Sequence, residues 1–350
     1  MSDDLTGANA VASMTASYCR SATFNVEIFN QVTDVMDDFQ CVSLNTDTRN
    51  STPQLAAATV SRIALEVKRT GAILAKRIDS TLRGNIEAEL MAIKEVLNKP
   101  FIITDTIPEY GRFTRGGSTI AGADRLSFRN VFKSLNGAYV SINDLNQINK
   151  LVRQYDVIVV DSSSYEDLDV IARTATEQGL IPVDPGPLCS MYGKRALGLR
   201  ERPVKIRPVS SLVFIIGTRE SATLSQVEEL KRRGFVILRL GNYMAGFDNE
   251  VSVVLFDYLT ERNRVDSAFI NFVSKYDAAV VSGGDTANLI LKLAGGVFIE
   301  NFSSPMPLVG IGKVHGGVLD GKIFVTKGGR VGTKETLIKL ASFLTGGGIY

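Results

Sequence analysis

Three glycine-containing turns in the second half of the chain have residue types suited to phosphate binding. Each follows an apolar run and precedes a predicted helix, and the segments are GTRES from Gly217, SGGDT from Ser282 and TKGGRVG from Thr326. Glycine lets the backbone approach a ligand closely, and the free N–H groups at a helix start favour an anion. One such turn is more often only a tight connection. Three in one domain predict a polyphosphate pocket, with Thr218, Thr223, Thr286, Asp285 and Lys327 supplying hydroxyl, metal-facing and cationic groups.

A second polar segment lies in the first half, where KRIDSTLRGN runs from Lys76 to Asn85 ahead of a predicted helix. Arg83 is suited to a bidentate grip on a carboxylate, and Asp79 or Ser80 to hydrogen bonds with hydroxyl groups. The same residues equally fit a helix cap with a surface salt bridge. The stretch YGRFTRGG, which contains Arg112, is typical of a closing loop.

The elements around these segments alternate between strand and helix, which predicts an α/β protein with mainly parallel sheets. Strands are expected at 41–44, 72–75, 101–103, 157–160, 180–183, 213–216, 278–281 and 323–325, and helices from Pro53 to about Arg69, near 86–97, 166–177, 224–230 and 287–294, and after Gly332. Ligands of open α/β sheets bind at the carboxyl ends of the strands, so the three turns are expected to converge.

Length and charge favour two domains without a large basic field. The chain has 350 residues and a formal net charge of +2, so we expect no nucleic-acid or membrane partner. Between about Gly193 and Ser211 the alternation stops in a basic, proline-containing stretch. We therefore expect domains at 1–200 and 212–350, each a mainly parallel sheet with flanking helices, a linker at 201–211 and a ligand cleft between the domains.

Histidine and cysteine are too scarce for several kinds of chemistry. His315 is the only histidine, and the three cysteines form no C-x-x-C pair, so a site for a metal bound by imidazole or thiolate is not expected. His315 lies in the sequence GKVHGG, which favours a turn over a catalytic role. Unpaired cysteines without a signal peptide fit a cytoplasmic protein.

Taken together and in order, the motifs resemble a known family. They are DDLTGA, DTR, KRIDSTLRGN, GRFT, GTRESATLSQ, SGGDTA and VTKGG, and their set is similar to that of the four-carbon acid sugar kinases. The resemblance spans nearly the whole chain, with the segments DSTLRGN and SGGDTAN as its most specific parts. It implies an N-terminal domain that binds a tetronate-type acid sugar, a C-terminal domain that binds ATP, and phosphorylation of the terminal hydroxyl in the cleft between them.

The resemblance also implies roles for individual residues. On the nucleotide side it places Gly283, Gly284, Asp285 and Thr286, together with Thr218 and the turn containing Lys327, Gly329 and Gly332; Thr223, from the pattern of the turns, is expected to bind ATP as well. On the sugar-acid side it places Asp3 or Asp4, Asp79, Ser80 and Arg83, and we expect Lys76, Asn85 and Arg112 to bind the substrate as well. We expect Asp4, with Asp3 and Asp79 as substitutes, to accept the hydroxyl proton, and ATP and Mg²⁺ to be required. We expect the protein to form a homodimer.

The chain departs from the family pattern at its start and at two turns. Family members carry a hydrophobic strand before the first acidic motif, whereas Met1-Ser2 stands before Asp3, so a sheet short of one strand and loosely held Asp3 and Asp4 are expected. Glu220 places an acid near the proposed phosphates, where it would repel ATP unless it points away or faces Mg²⁺. Arg330-Val331 replaces a glycine and an aromatic residue.

Two other functions fit parts of the pattern. One is a sugar-acid or nucleotide sensor without catalytic activity. The other is an aspartate-nucleophile phosphatase based on Asp3 and Asp4, although adjacent acids on extended backbone do not share a face.

Overall fold

The computed structural model describes residues 1–27, 37–201, 206–246 and 250–347. Its α-helices are α1 (Leu5–Thr15), α2 (Pro53–Thr70), α3 (Ile86–Leu97), α4 (Ile148–Leu151), α5 (Tyr165–Gln178), α6 (Pro187–Ala196), α7 (Ser221–Arg232), α8 (Tyr258–Glu261), α9 (Ser267–Val273), α10 (Gly284–Leu293) and α11 (Thr336–Leu344). Short 3₁₀ turns connect several of them. Helix α2 shows how local sequence sets such bounds, since Thr52 caps its first turn, Pro53 occupies the first helical position and Gly71 ends it at φ 71°.

The strands form three sheets. They are β1 (Ser21–Asn25), β2 (Cys41–Asn45), β3 (Lys76–Arg77), β4 (Phe101–Ile103), β5 (Arg112–Arg115), β6 (Ser118–Ala121), β7 (Asp124–Ser127), β8 (Gly137–Val140), β9 (Val157–Val160), β10 (Ile181–Asp184), β11 (Leu212–Ile216), β12 (Ile237–Arg239), β13 (Val251–Leu255), β14 (Ala278–Ser282), β15 (Phe298–Phe302), β16 (Val309–His315) and β17 (Ile323–Lys327).

The largest sheet has nine strands in the order β12-β13-β11-β14-β17-β16-β15-β1-β2, the second has the order β3-β10-β4-β9-β8, and β5-β6-β7 form a small antiparallel sheet. All pairs of the second sheet are parallel. In the largest sheet the pairs β1–β15, β15–β16 and β16–β17 are antiparallel. The predicted α/β class with mainly parallel sheets and flanking helices is confirmed.

The core lies on both faces of the largest sheet. Along β11, Val213 and Ile215 join one apolar cluster, whereas Leu212, Phe214 and Ile216 join the cluster on the opposite face. Side chains of a strand alternate between faces, so a strand that is apolar throughout needs helices on both sides. This double cover fixes β11, β14 and β17 and therefore the turns at their carboxyl ends.

Several predicted elements shift in the structure. The strand expected at 72–75 is instead β3 at Lys76–Arg77, because Lys76 and Arg77 pair with Val183 and Asp184 of β10. His315 ends strand β16 rather than lying in a turn, and its Nε2 lies 3.0 Å from a Glu300 oxygen. Helix α1 had no counterpart in the sequence prediction.

The start of the chain is well fixed. Ser2 forms parallel bridges with both Arg77 and Asn45, so it joins the end of β3 to the end of β2. Asp3 and Asp4 follow directly and are buried. The expectation that these two acids are loosely held is therefore wrong.

Sheet pairing crosses the predicted domain boundary. Strand β1 pairs with β15, with Ala22 opposite Glu300, so strands from the first half complete the sheet of the second half. Residues 202–205 of the predicted linker lie outside the described residues. The division into 1–200 and 212–350 stays a prediction.

Candidate active site

A cleft of about 350 Å³ lies between the carboxyl ends of the two large sheets. Its lining brings together polar segments that are far apart in the sequence: Asp4, Thr6, Arg49, Asn50, Arg77, Asp79, Ser80, Thr81 and Arg83 on one wall, and Gly217–Glu220, Asp257–Leu259, Gly283–Thr286 and Gly328–Val331 on the other. We call these the arginine wall and the turn wall. The three glycine turns and the segment around Asp79 therefore converge, as their positions at strand ends predict.

Asp4 anchors the arginine wall at the start of α1. Its Oδ1 accepts the backbone N–H of Gly7 at 3.0 Å, which caps the helix, and its Oδ2 accepts the hydroxyl of Thr6 at 2.5 Å. Arg49 and Arg77 each bond Asp4 at 2.9 Å. All lone-pair directions of this carboxylate thus have donors.

Asp79 holds the adjacent loop. Its carboxylate accepts hydrogen bonds from Nε and Nη2 of Arg83, at 2.9 and 3.0 Å, and from the hydroxyl of Thr81. Arg49 lies 3.5 Å from Asp79 and bonds Asp3 at 2.8 Å. Leu82 adopts φ 56° between these residues, a conformation that a bulky side chain tolerates only where the surroundings hold it.

The arginines keep these carboxylates ionised. Burial alone would raise the pKa of Asp4, but Arg49 and Arg77 outweigh it and lower that pKa below its usual value. Burial likewise opposes the shift of Asp79, yet the hydrogen bond from Arg83, with Arg49 and Arg77, lowers its pKa strongly. The arginine wall is therefore a network of fixed charges.

The turn wall presents backbone instead of charged clusters. In the sheet, Ile216 lies opposite Ser282 and Ser282 opposite Lys327, so the three turns stand side by side. A Cβ on Gly217 would lie 2.2 Å from the Thr286 hydroxyl, and one on Gly284 would lie 2.6 Å from Oδ2 of Asp4. Only glycine permits this close approach, and the start of a helix leaves its first-turn N–H groups without partners inside the helix.

Lys327 and Thr223 support the third turn from behind. The buried Lys327 ammonium donates to the Thr223 hydroxyl at 2.8 Å and to the carbonyls of Gly328 and Val331 at 3.0 and 3.2 Å. Thr223 in turn donates to the carbonyl of Gly329 at 2.6 Å. Desolvation lowers the pKa of Lys327 to about 7. Direct ligand contacts of these two residues stay predictions, because neither lines the cleft.

Two ion pairs lie on the turn wall. Arg330 donates to Glu220 at 2.9 Å, and Arg219 pairs with Asp257. Both arginine side chains are more than half exposed, at 54% for Arg330 and 63% for Arg219. Glu220 is thus already neutralised, and both arginines are free to turn toward an anion in the cleft.

Several residues predicted for ligand binding lie outside the cleft lining. Lys76 is buried in an ion pair with Glu89 at 2.7 Å. Asn85 donates to the carbonyls of Thr48 and Ser51. Asp3 accepts a hydrogen bond from Arg49. Arg112 pairs with the buried Asp105 at 2.8 Å. Gly332 lies in the turn before α11, where it adopts φ 91°.

Arg49, Arg77, Arg219, Asp257 and Arg330 complete the charge pattern of the cleft, but the sequence prediction assigned them no individual role. Arg49, Arg77, Arg219 and Arg330 were visible within quoted motifs, since they belong to DTR, KRIDSTLRGN, GTRES and TKGGRVG. Asp257 follows β13, which carries no glycine turn. Only the packing of β13 beside β11 brings it to the cleft.

The described residues contain no helix with the length and apolar character needed to cross a membrane. In the same part of the chain, no three His, Cys, Asp or Glu side chains are grouped as a metal site. The cleft carboxylates of Asp4, Asp79, Glu220 and Asp257 instead pair with arginines.

Comparison with known proteins agrees with this arrangement. Residues 1–135 match the model of a sugar-binding N-terminal domain. Over 98% of its length the chain is 23% identical to a D-erythronate kinase of Heliobacterium modesticaldum, of which the match covers 96%.

Two solved structures share the fold. A Haemophilus influenzae protein from a family of unknown function has a TM-score of 0.67 at 16% identity, over 99% of this chain and 98% of that one. A protein of Salmonella typhimurium LT2 has a TM-score of 0.72 at 14% identity, over 97% of both chains.

The fold and the cleft thus define an α/β protein with one large cleft, and the two walls of that cleft present different groups to a ligand. The matches to the sugar-binding domain and to the kinase confirm the predicted resemblance to the four-carbon acid sugar kinases.

Proposed function

We propose that the protein is an ATP-dependent kinase that phosphorylates the terminal hydroxyl of a four-carbon acid sugar, such as a tetronate or 3-oxo-tetronate. The observation that carries the proposal is the pairing of two different walls across one cleft. One wall offers arginines and carboxylates, and the other offers three adjacent glycine turns. The kinase relative from Heliobacterium modesticaldum acts, by its name, on D-erythronate, which is a four-carbon sugar acid.

On the arginine wall, we assign Arg83 to bind the substrate carboxylate. Its side chain is 49% exposed although it also bonds Asp79, so its guanidinium can add an acid ligand. Ser80 and Asp79 beside it can bond the hydroxyl groups of the sugar. Asp4 and Asp3 hold Arg49 and Arg77 in place and keep that surface rigid, which positions the bound sugar.

On the turn wall, the phosphates of ATP would meet the open N–H groups at the starts of α7 and α10. Thr218, Gly283, Gly284, Thr286 and Gly329 line this side. Arg219 and Arg330 would leave their carboxylates and bind phosphate oxygens, since an exposed arginine pair stabilises by only about 0–1 kcal/mol. This exchange adds positive charge where phosphoryl transfer needs it.

Mg²⁺ is part of the proposal because it neutralises the phosphates during transfer. It prefers carboxylate oxygens together with phosphate oxygens and water. Glu220 and Asp257 have that donor chemistry and would be released when their arginines move to phosphate, so we assign them to hold it. A cytoplasmic location and a homodimer stay predictions.

The direct test is an ADP-release assay with ATP, Mg²⁺ and a panel that contains D-erythronate, L-threonate, their 3-oxo forms and longer sugar acids. We expect ADP only when a four-carbon acid is present, and phosphate on its terminal oxygen by ³¹P NMR. Ligand binding without turnover across the panel would favour the sensor instead. A trapped aspartyl-phosphate would favour the phosphatase.

A further inference from the structure

The carboxylates of the cleft differ in how fully they are paired. Asp4 and Asp79 bond arginines of the arginine wall, Glu220 bonds Arg330, and Asp257 bonds Arg219. Among the described residues, Asp285 is the cleft acid without an ion pair. Within the part of the chain that the structure describes, its side chain accepts a hydrogen bond only from the amide of Asn50, at 3.5 Å, which is at the limit of a hydrogen bond.

Asp285 also stands where the two walls meet. It lies in the first turn of α10, directly after Gly283 and Gly284. A Cβ on Gly284 would nearly touch the Asp4 carboxylate, and Asn50 reaches Asp285 from the arginine wall. A hydroxyl of a sugar bound at Arg83 and a phosphate bound at the start of α10 would therefore both lie within the same part of the cleft as Asp285.

Asp285 and Asp4 differ in basicity. Partial desolvation, together with the nearby Asp4 carboxylate, raises the pKa of Asp285. Arg49 and Arg77 lower the pKa of Asp4 in spite of burial. Asp285 thus binds a proton more readily than Asp4, and it is an exposed residue of the cleft lining.

From this geometry we infer that Asp285 is the general base of the proposed kinase and that Asp4 is a positioning residue. The inference rests on the proposed function. The O–H bond of the sugar's terminal hydroxyl breaks and its proton moves to a carboxylate oxygen of Asp285. The hydroxyl oxygen bonds to the γ-phosphorus, the bond from that phosphorus to the β–γ bridging oxygen breaks, and ADP leaves with that electron pair.

The role requires a free carboxylate at the moment of transfer. Asp4 already accepts donors from Thr6, Gly7, Arg49 and Arg77, so a further hydroxyl would have to displace one of them. Asp285 needs no such displacement. The two acids thus differ in how many hydrogen bonds they already accept, and this difference decides which of them can accept the hydroxyl proton.

The test compares D285N and D285A with the wild type, using E228Q as the matched control. Glu228 is an exposed acid on α7 outside the cleft lining. We expect D285N to lower kcat by roughly 10²- to 10⁴-fold, the usual share of a general base, while calorimetry finds the Kd of Mg·ADP and of D-erythronate within threefold of wild type. Added formate should restore part of the turnover of D285A, and E228Q should keep the wild-type rate.

Each outcome decides the matter. A kcat of D285N within threefold of wild type would overturn the inference, and so would a large loss of Mg·ADP affinity, because Asp285 would then bind nucleotide or metal. If wild-type protein turns over no panel acid, the proposed function itself fails and the inference fails with it. Turnover by wild type with a rate unchanged in D285N removes only the inference.

Discussion

The two walls of the cleft solve the problem of binding an anion in different ways. On the arginine wall, Arg49 and Arg77 are less than one-fifth exposed and already share three buried carboxylates. On the turn wall, glycine turns line the cleft and the arginines are exposed in simple pairs. The first wall is a preformed surface whose buried charges are held in place, whereas the second can exchange partners when a ligand arrives. Rigidity therefore belongs on the sugar side and adaptability on the phosphate side.

The largest loss of stability is expected from R49A on the arginine wall. The change would leave Asp3, Asp4 and Asp79 short of a buried cation, and removing one partner of a buried pair costs about 3–5 kcal/mol of unfolding free energy. Urea denaturation followed by circular dichroism measures it. The control on the other wall is R330A, for which we expect at most about 1 kcal/mol. Equal losses in the two variants would mean that the walls do not differ in rigidity.

A second buried pair, Asp105 with Arg112, predicts a pH dependence of opposite sign to that of Asp79. Desolvation raises the pKa of Asp105 to about 6 despite Arg112, so the folded state binds more protons than the unfolded state between about pH 4 and 6. Its contribution to unfolding free energy thus falls by up to about 3 kcal/mol as pH rises through that window.

The measurement is a series of urea midpoints from pH 4 to 7 for wild type and D105N. We expect the D105N curve to lack this fall. Asp79, whose pKa is lowered, stabilises the fold above its unfolded pKa and loses that effect only as pH falls below about 4. Parallel wild-type and D105N curves would show that Asp105 is not protonated in this range.

A smaller effect is expected from G217A on the turn wall. The added methyl group would meet the Thr286 hydroxyl at 2.2 Å and the Phe256 ring at 3.0 Å, and overpacking of this kind costs about 1–3 kcal/mol. The control is G193A on α6, where the nearest atom would be 3.8 Å away. A thermal melt in which both variants match wild type would mean that the turns are looser than described.

Much of this fold follows from sequence pattern, and the failures have physical causes. Long periodic elements such as α2 and α5, and apolar runs such as β9 and β14, are visible because their own residues determine them. Helix α1 was missed because its sequence LTGANAVASMT is nearly all buried and so shows no polar face. Strand β3 was misplaced because tertiary pairing with β10, and not apolar composition, selects Lys76 and Arg77.

The candidate site was predicted in part for the same reason. The glycine turns and the segment around Asp79 can be recognised in the sequence, because glycine, hydroxyl and charged residues follow a predicted strand. The roles of Lys76, Asn85 and Arg112 could not be read this way, because a charged or polar residue in a motif can either face the ligand or hold the loop. In this structure Lys76 reaches Glu89 and Arg112 reaches Asp105, contacts that only the three-dimensional packing determines.

The central claim is that the two walls bind different ligands, and calorimetry on one variant of each wall tests it most directly. We would titrate D-erythronate, or the panel acid that is turned over, and Mg·ADP into R83A and G329A. We expect R83A to weaken binding of the sugar acid at least tenfold, about 1.4 kcal/mol, with the Kd of Mg·ADP within threefold of wild type, and G329A to do the reverse. Loss of both ligands in both variants, or of neither, would contradict it.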